Sequence, residues 1–158
     1  MPRDVILTPQ GLVDLKAQLE HLSTVRREEV AERIKEAREF GDISENSEYD
    51  DAKNEQAMLE AQIADVEDKL RSATVIDEKA VSTDVVSIGS VAHVKDTKTK
   101  KSAAYRIVGS AEANPSEMKL SNESPVGKAL LGRREGDKVS VTVPRGPARE
   151  LTIEKIEA

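Results

Sequence analysis

The chain has 158 residues, 34% charged and 37% apolar, with a formal net charge of −6, enough for one ordinary domain or two small ones around a modest core. Aromatics make up 2% (Phe40, Tyr49 and Tyr105) and Cys is absent, which excludes disulfides and thiolate metal sites and argues against a cofactor pocket or a base-stacking surface. Residues 1–78 carry 10 Lys+Arg against 20 Asp+Glu, and residues 79–158 carry 14 against 10, so bare duplex nucleic acid, which needs basic surface, is a poor partner for the first half. The opening MPRDVILTPQ lacks the apolar run of a signal peptide, and no window reaches the ~18–20 apolar residues of a membrane span. A cytoplasmic location is expected.

Val5-Ile6-Leu7 is a short apolar lead-in. Thr8-Pro9 follows, a good N-cap and a residue favoured at the first helical position. Leu12, Leu15, Leu19 and Leu22 then recur at spacings of a two-position seam. Beyond Leu22 the seam slips: Val25 or Arg26 carries it on to Val30, Ile34 and Ala37, a spacing nearer an 11-residue repeat that relaxes the supercoil locally. One helix is predicted from about Pro9 to about Glu39, roughly 45 Å at 1.5 Å per residue. A second runs from about Ser47 to about Ala73, with Ala52, Leu59, Val66 and Ala73 on one seam and Ile63 and Leu70 on the other. Reversal near Ile43 sets Ala52 against Ile34, Ile63 against Leu22 and Leu70 against the Leu15–Leu19 level. Small residues at one end let the helices approach closely there.

Composition changes at Val75-Ile76-Asp77-Glu78, where β-branched residues and turn signals take over. Ser90–Lys95 alternates like a strand, Asp96–Lys101 is a polar turn, and Ala104–Gly109 is a return strand. Met118–Ser121 is another short strand. Ser124-Pro125 caps a brief helix over Val126–Leu131, stopped by Gly132. Lys138–Pro144 and Ala148–Ile156 flank a Pro-Arg-Gly-Pro turn as a final hairpin, with Val139, Val141 and Val143 facing Leu151 and Ile153. The fold class is α+β: a long N-terminal antiparallel coiled-coil hairpin, then a small antiparallel sheet with one short helix. The division is residues 1–76, a linker at 77–81, and residues 82–158.

Between the two helical segments lies Glu39–Asp51, with six carboxylates and no Lys or Arg. Gly41 can end the first helix with a left-handed residue, and Ser44 or Ser47 can cap the next. Ser47 and Asp50 also fit a helix-start signal. Two readings of the acids at 41–48 stand side by side. Acids in a helix's first turn meet its positive dipole end. Alternatively, the charge serves an intermolecular purpose: carboxylates are hard ligands suited to Mg²⁺. A self-contained Ca²⁺ loop beginning at Asp42 fails, because Ser47 stands where Gly is required and Lys53 where Glu is required. Two acids can share Mg²⁺ with a second protein's active site. No Ser/His/Asp set, phosphate-binding Gly-rich loop or H-E-x-x-H pattern occurs, and His21 and His93 read as ordinary residues, so autonomous catalysis is not expected.

Glu36-Ala-Arg38-Glu-Phe-Gly41-Asp42-Ile-Ser-Glu45-Asn46-Ser-Glu48-Tyr49 closely resembles the signature of the Gre family of bacterial transcript cleavage factors, of GreA type. Thr8-Pro-Gln-Gly11-Leu resembles that family's opening. Ser124-Pro125-Val-Gly-Lys128-Ala-Leu-Leu-Gly132 with Gly136-Asp137 resembles its C-terminal domain. The resemblance spans essentially the whole chain.

It implies a C-terminal domain of FKBP-like fold that docks through Ser124-Pro125 on a coiled coil of the largest RNA polymerase subunit, at the rim of the secondary channel. It implies that the hairpin enters that channel. There Asp42 and Glu45 help hold a shared Mg²⁺ and a water, while the polymerase itself hydrolyses the backtracked RNA and restores a productive 3′ end. Arg38 and Lys53, the latter a conservative replacement, would contact the RNA 3′ segment, with Tyr49 near the tip. The factor is then not itself an enzyme, binds no cofactor stably alone and meets the nascent RNA only within the polymerase. The sparse basic patch on the hairpin favours short released fragments. An alternative of the same architecture is an inhibitor that fills the channel without promoting cleavage; such relatives carry a more acidic tip without the Gly-Asp-x-x-Glu-Asn pattern. Prolyl isomerase activity follows only from the implied C-terminal fold and wants an aromatic pocket that Tyr105 alone cannot line. A coiled-coil oligomerisation module is the remaining reading, whereas an intramolecular hairpin predicts a monomer.

Overall fold

A computed structural model describes residues 5–39, 46–144 and 146–158. They form two compact units: Leu12–Ser72, and a second made of residues up to Gly11 together with Ala73–Ala158. The units are drawn differently from the sequence division at 77–81, because the lead-in strand belongs with the sheet-bearing part.

In the first unit, α1 (Pro9–His21) and α2 (Arg27–Arg38) are joined through a π-helical turn at Leu22–Arg26. Leu15, Leu22, Val30, Ile34 and Ala37 are buried. Where the seam slips, Arg26 continues it half-buried, whereas Val25 is 44% exposed. The interval from Leu22 to Val30 holds one residue more than a heptad allows. A π turn absorbs it: Arg27 N–H donates to the Leu22 carbonyl, five residues back. The Ser23 hydroxyl donates to the Leu19 carbonyl, and Thr24 Oγ1 donates to the Glu20 carbonyl at 2.7 Å, back-bonding that accompanies such irregular turns. The expected relaxation of a supercoil is thus a local change of helix type.

Helix α3 (Ser47–Arg71) buries Ala52, Leu59, Ile63 and Val66. It runs back along α2 in a register marked by ion pairs. Arg27 Nε and Nη2 reach the two Glu60 oxygens, each at 2.9 Å. Arg33 pairs with Glu55, which Arg26 Nη2 also meets at 3.1 Å.

The second unit begins with β1 (Val5–Leu7), which pairs in parallel with β2 (Ala73–Val75), Val5 beside Ala73 and Leu7 beside Val75. A Cβ on Gly109 would lie 2.1 Å from the Ile6 carbonyl oxygen, so glycine there lets β1 lie close. The Thr8 hydroxyl accepts the Gly11 N–H at 3.0 Å, and Glu112 receives both the Thr8 N–H (2.8 Å) and the Thr8 hydroxyl (2.5 Å). This carboxylate braces the start of α1, where positive dipole and free N–H groups favour an anion.

The main sheet has the order β5-β4-β3-β7-β6, with β3 (Val91–Asp96), β4 (Ser102–Val108), β5 (Lys119–Ser121), β6 (Lys138–Val141) and β7 (Arg149–Glu157). The sequence reads as an all-antiparallel sheet; β4 and β5 instead run parallel, Arg106 beside Lys119. The reason is a crossover after Gly109. In it Asn114 caps a 3₁₀ turn, Pro115–Glu117, and Met118 takes a left-handed φ of 59°, so the chain re-enters the sheet edge in the same direction as β4. Ala92, Val94, Ile107, Val139, Val141, Leu151, Ile153 and Ile156 fill the core with Leu130 of α4 (Pro125–Leu130) and Val86. Val139 lies beside Leu151, as expected of the final hairpin. In β7 the inward alternation shifts from Ile153 to Ile156 because the pairing with β3 slips between His93 and Val94, a bulge that inserts one residue.

Candidate functional site at the hairpin junction

The junction of α2 and α3 carries most of the residues singled out by sequence. Gly41, Asp42, Ser44 and Glu45 lie outside the described residues, and with them the two acids assigned to Mg²⁺. What the structure fixes is the frame on either side.

Helix α3 is capped by Asn46, not by Ser44 or Ser47. Asn46 is extended (φ −94°, ψ 99°) and its Oδ1 accepts the Tyr49 N–H at 3.2 Å; Ser47 is already the first helical residue. Asn ranks with Ser and Asp as an N-cap, so the signal was present in the sequence. Ser44 and Ser47 on either side carry the same signal and obscure it. The same side chain reaches the other helix, Nδ2 donating to the Ala37 carbonyl at 2.6 Å. One carboxamide thus satisfies a backbone donor of α3 and a late carbonyl of α2. A hydroxyl-bearing cap residue would be too short to span both.

Beside this tie, the Arg38 guanidinium sits over the Tyr49 ring, 5.8 Å from its centroid. Arg38 is exposed and Tyr49 half-buried. A guanidinium stacked on a ring face is held by it without using its edge N–H donors. Lys53 lies one turn beyond Tyr49 on the same helical face, exposed, with Nζ 2.8 Å from Gln56 Oε1. Glu48 and Asp50 occupy the first turn of α3, exposed, where they complement the helix dipole. Two cationic side chains and an aromatic ring therefore flank the acid-bearing segment. Among the described residues, no group of three or more His, Asp or Glu is placed to hold a metal ion.

The second predicted site is on α4. Ser124 Oγ accepts the Gly127 N–H at 3.1 Å and donates to the Ser121 carbonyl at 2.6 Å. Its hydroxyl is therefore engaged internally and shapes the loop. Pro125, the first residue of the helix, is exposed. Of the two histidines, His93 lies 3.4 Å from Glu157 on the sheet.

The family model described as "Transcription elongation factor, N-terminal" matches residues 5–75, and that described as "Transcription elongation factor, GreA/GreB, C-term" matches residues 81–158. The chain is 58% identical over 144 residues to transcription elongation factor GreA of Alkaliphilus oremlandii, covering 91% of each chain. It is 59% identical over 152 residues to GreA of Acetivibrio thermocellus, covering 96% of each. Among solved structures it is similar to GreA factor homolog 1 (Gfh1) of Thermus thermophilus, at 35% identity and a TM-score of 0.45, covering 99% of this chain and 100% of the other.

Proposed function

Because the chain belongs to the GreA/GreB family of transcription elongation factors, we propose that it binds RNA polymerase, places its hairpin junction in the secondary channel, and stimulates the polymerase's own hydrolysis of backtracked RNA. The observation that carries this reading is Arg38 seated over Tyr49 beside the segment that bears Asp42 and Glu45. Carboxylate oxygens suit Mg²⁺, which is commonly held by one or two protein carboxylates plus waters and substrate phosphates. Asp42 and Glu45 would complete the coordination of a metal that polymerase and factor share, and orient a water. When bound, Mg²⁺ supplies Lewis-acid stabilisation to the attacking and leaving oxygens of an in-line displacement.

The remaining work falls to the chain's own side chains. Arg38 and Lys53 neutralise phosphates of the RNA 3′ segment, and the Tyr49 ring holds the Arg38 plane in place. The second unit, of FKBP-like type, docks at the channel rim through the exposed Pro125, with Ser124 fixing its loop. The protein acts as a monomer wherever polymerase works, in the cytoplasm, and has no hydrolytic activity alone. Among the described residues no helix is long and apolar enough to cross a membrane.

The test is a stalled, backtracked elongation complex incubated with the protein, with the RNA products sized. Release of short 3′ fragments by wild type, lost in Asp42→Asn and Glu45→Gln while polymerase binding persists, supports the reading. Full cleavage by the double variant ends it. Blocked nucleotide addition without fragment release would identify a channel inhibitor instead.

A further inference from the structure

We infer that Asn46 is a positioning residue for the cleavage chemistry, its carboxamide fixing the two ends of the segment that carries Asp42 and Glu45. This rests on the function proposed above. The Nδ2 bond to the Ala37 carbonyl spans nine residues of sequence at 2.6 Å, while Oδ1 holds the Tyr49 amide at 3.2 Å. The backbone itself adds a bond, Asp50 N–H to the Asn46 carbonyl at 3.1 Å. The helices joined in this way are seamed by small side chains here: Ala37 is 4% exposed and Ala52 fully buried. The tie therefore links two packed elements rather than two loose ones.

Tyr49 receives the cap and also carries the ring beneath Arg38. One side chain thus ties the end of α2 to the start of α3 and holds the residue whose ring lies beneath Arg38. A displacement of about 1 Å in such a constellation costs on the order of 10²-fold in rate. Capping alone does not demand an amide, since Ser caps equally well. The second bond does: it needs a donor at the far end of a side chain whose other atom is accepting.

The test uses the full chain and the variant Asn46→Ser, which keeps an uncharged cap acceptor and cannot reach the Ala37 carbonyl. It should bind polymerase as wild type does. Its cleavage rate at limiting Mg²⁺ should fall by about tenfold or more and recover in part as Mg²⁺ is raised, whereas a role confined to helix capping would leave the rate unchanged. Cleavage equal to wild type at every Mg²⁺ concentration overturns the inference. A second readout needs no polymerase. Spin labels on Glu36→Cys and Asp50→Cys, in a chain with no natural Cys, should give a narrow distance distribution that broadens when Asn46→Ser is added. An unchanged width overturns the inference. If wild type fails to release RNA fragments, the proposed function fails, and the label distances still decide whether Asn46 fixes the junction.

Discussion

Arg27 and Glu60 face each other across the hairpin as a two-bond fork, Nε to Oε1 and Nη2 to Oε2, both at 2.9 Å. The Arg27 hydrogen bond holds the Glu60 carboxyl below its ordinary value, and bonds from Arg33 and then Arg26 do the same for Glu55. A depressed carboxylate stabilises the folded state above about pH 4.3 and loses that contribution as pH falls through its folded value. The side chains of Arg27 and Glu60 are 45% and 50% exposed, so the effect is small and screened. Glu60→Gln should lower the melting temperature of the helical unit slightly at neutral pH and low salt. Circular dichroism melts should show that difference vanish in acid, and also in about 1 M salt, where the Debye length is about 3 Å.

Asp96 should behave differently. Its Oδ1 accepts the Lys98 and Thr99 N–H groups at 2.9 and 3.1 Å, and Arg149 Nε lies 3.3 Å from Oδ2. The Thr99 amide, then that of Lys98, then Arg149 hold its carboxyl below the ordinary value. The stability this provides is complete above about pH 4 and lost as pH falls through the depressed value. Calorimetry of the sheet-bearing unit should show acid destabilisation that Asp96→Asn flattens. Because two of the three bonds come from backbone amides, most of this dependence should persist at high salt.

Two glycines should differ in how badly they tolerate a methyl group. A Cβ on Gly11 meets Glu112 Cδ at 2.1 Å, and one on Gly109 meets the Ile6 carbonyl oxygen at 2.1 Å. Glu112 can swing away at the cost of its bonds to Thr8, about 1–2 kcal/mol. Ile6 backbone cannot move without unpairing β1, so Gly109→Ala should cost more, about 3 kcal/mol. Denaturant titration of the two variants should give that order; equal losses would mean that β1 is not held against Gly109.

The π turn makes a deletion prediction. Removing Ser23 takes out the one residue by which the Leu22–Val30 interval exceeds a heptad and lets the helix continue as α. The melting temperature of the helical unit should stay near that of wild type. Removing Ala31 instead rotates Ile34 and Ala37 off the seam and should lower it far more.

Tyr49 is expected to act through its ring. Tyr49→Phe keeps the face beneath Arg38 and should cleave backtracked RNA nearly as wild type does. Tyr49→Leu removes a contact worth roughly 0.5–1 kcal/mol at an exposed site, and should reduce cleavage by about two- to fivefold without changing polymerase affinity. The assay is single-turnover cleavage with saturating factor.

Much of this frame was legible from residue order. The Leu15, Leu22, Val30, Ile34 and Ala37 seam is buried as its spacing required, and the slip after Leu22 marked the place where helix type changes. The polar turn at Asp96 and the facing of Val139 by Leu151 followed from alternation and turn chemistry. The parallel entry of β5 was not legible, because it depends on a crossover whose direction is set by Asn114 and a left-handed Met118 rather than by any periodicity. The pairing of β1 with β2 joins residues far apart in sequence, and three apolar residues carry no mark of their partner. At the site, the Arg38–Tyr49 stack brings together two residues picked out separately. The double use of Asn46 was hidden, since propensity ranks a residue for one bond at a time.

The side-by-side strands at Val5–Leu7 and Ala73–Val75 make the helical pair an inset rather than a head on a tail. Its outgoing and returning chains pass through one small ribbon, so a cut at residue 77 would part both ribbon strands from the main sheet. The same pairing leaves helix length free to vary: matched seven-residue blocks added to or removed from both helices keep Val5 beside Ala73.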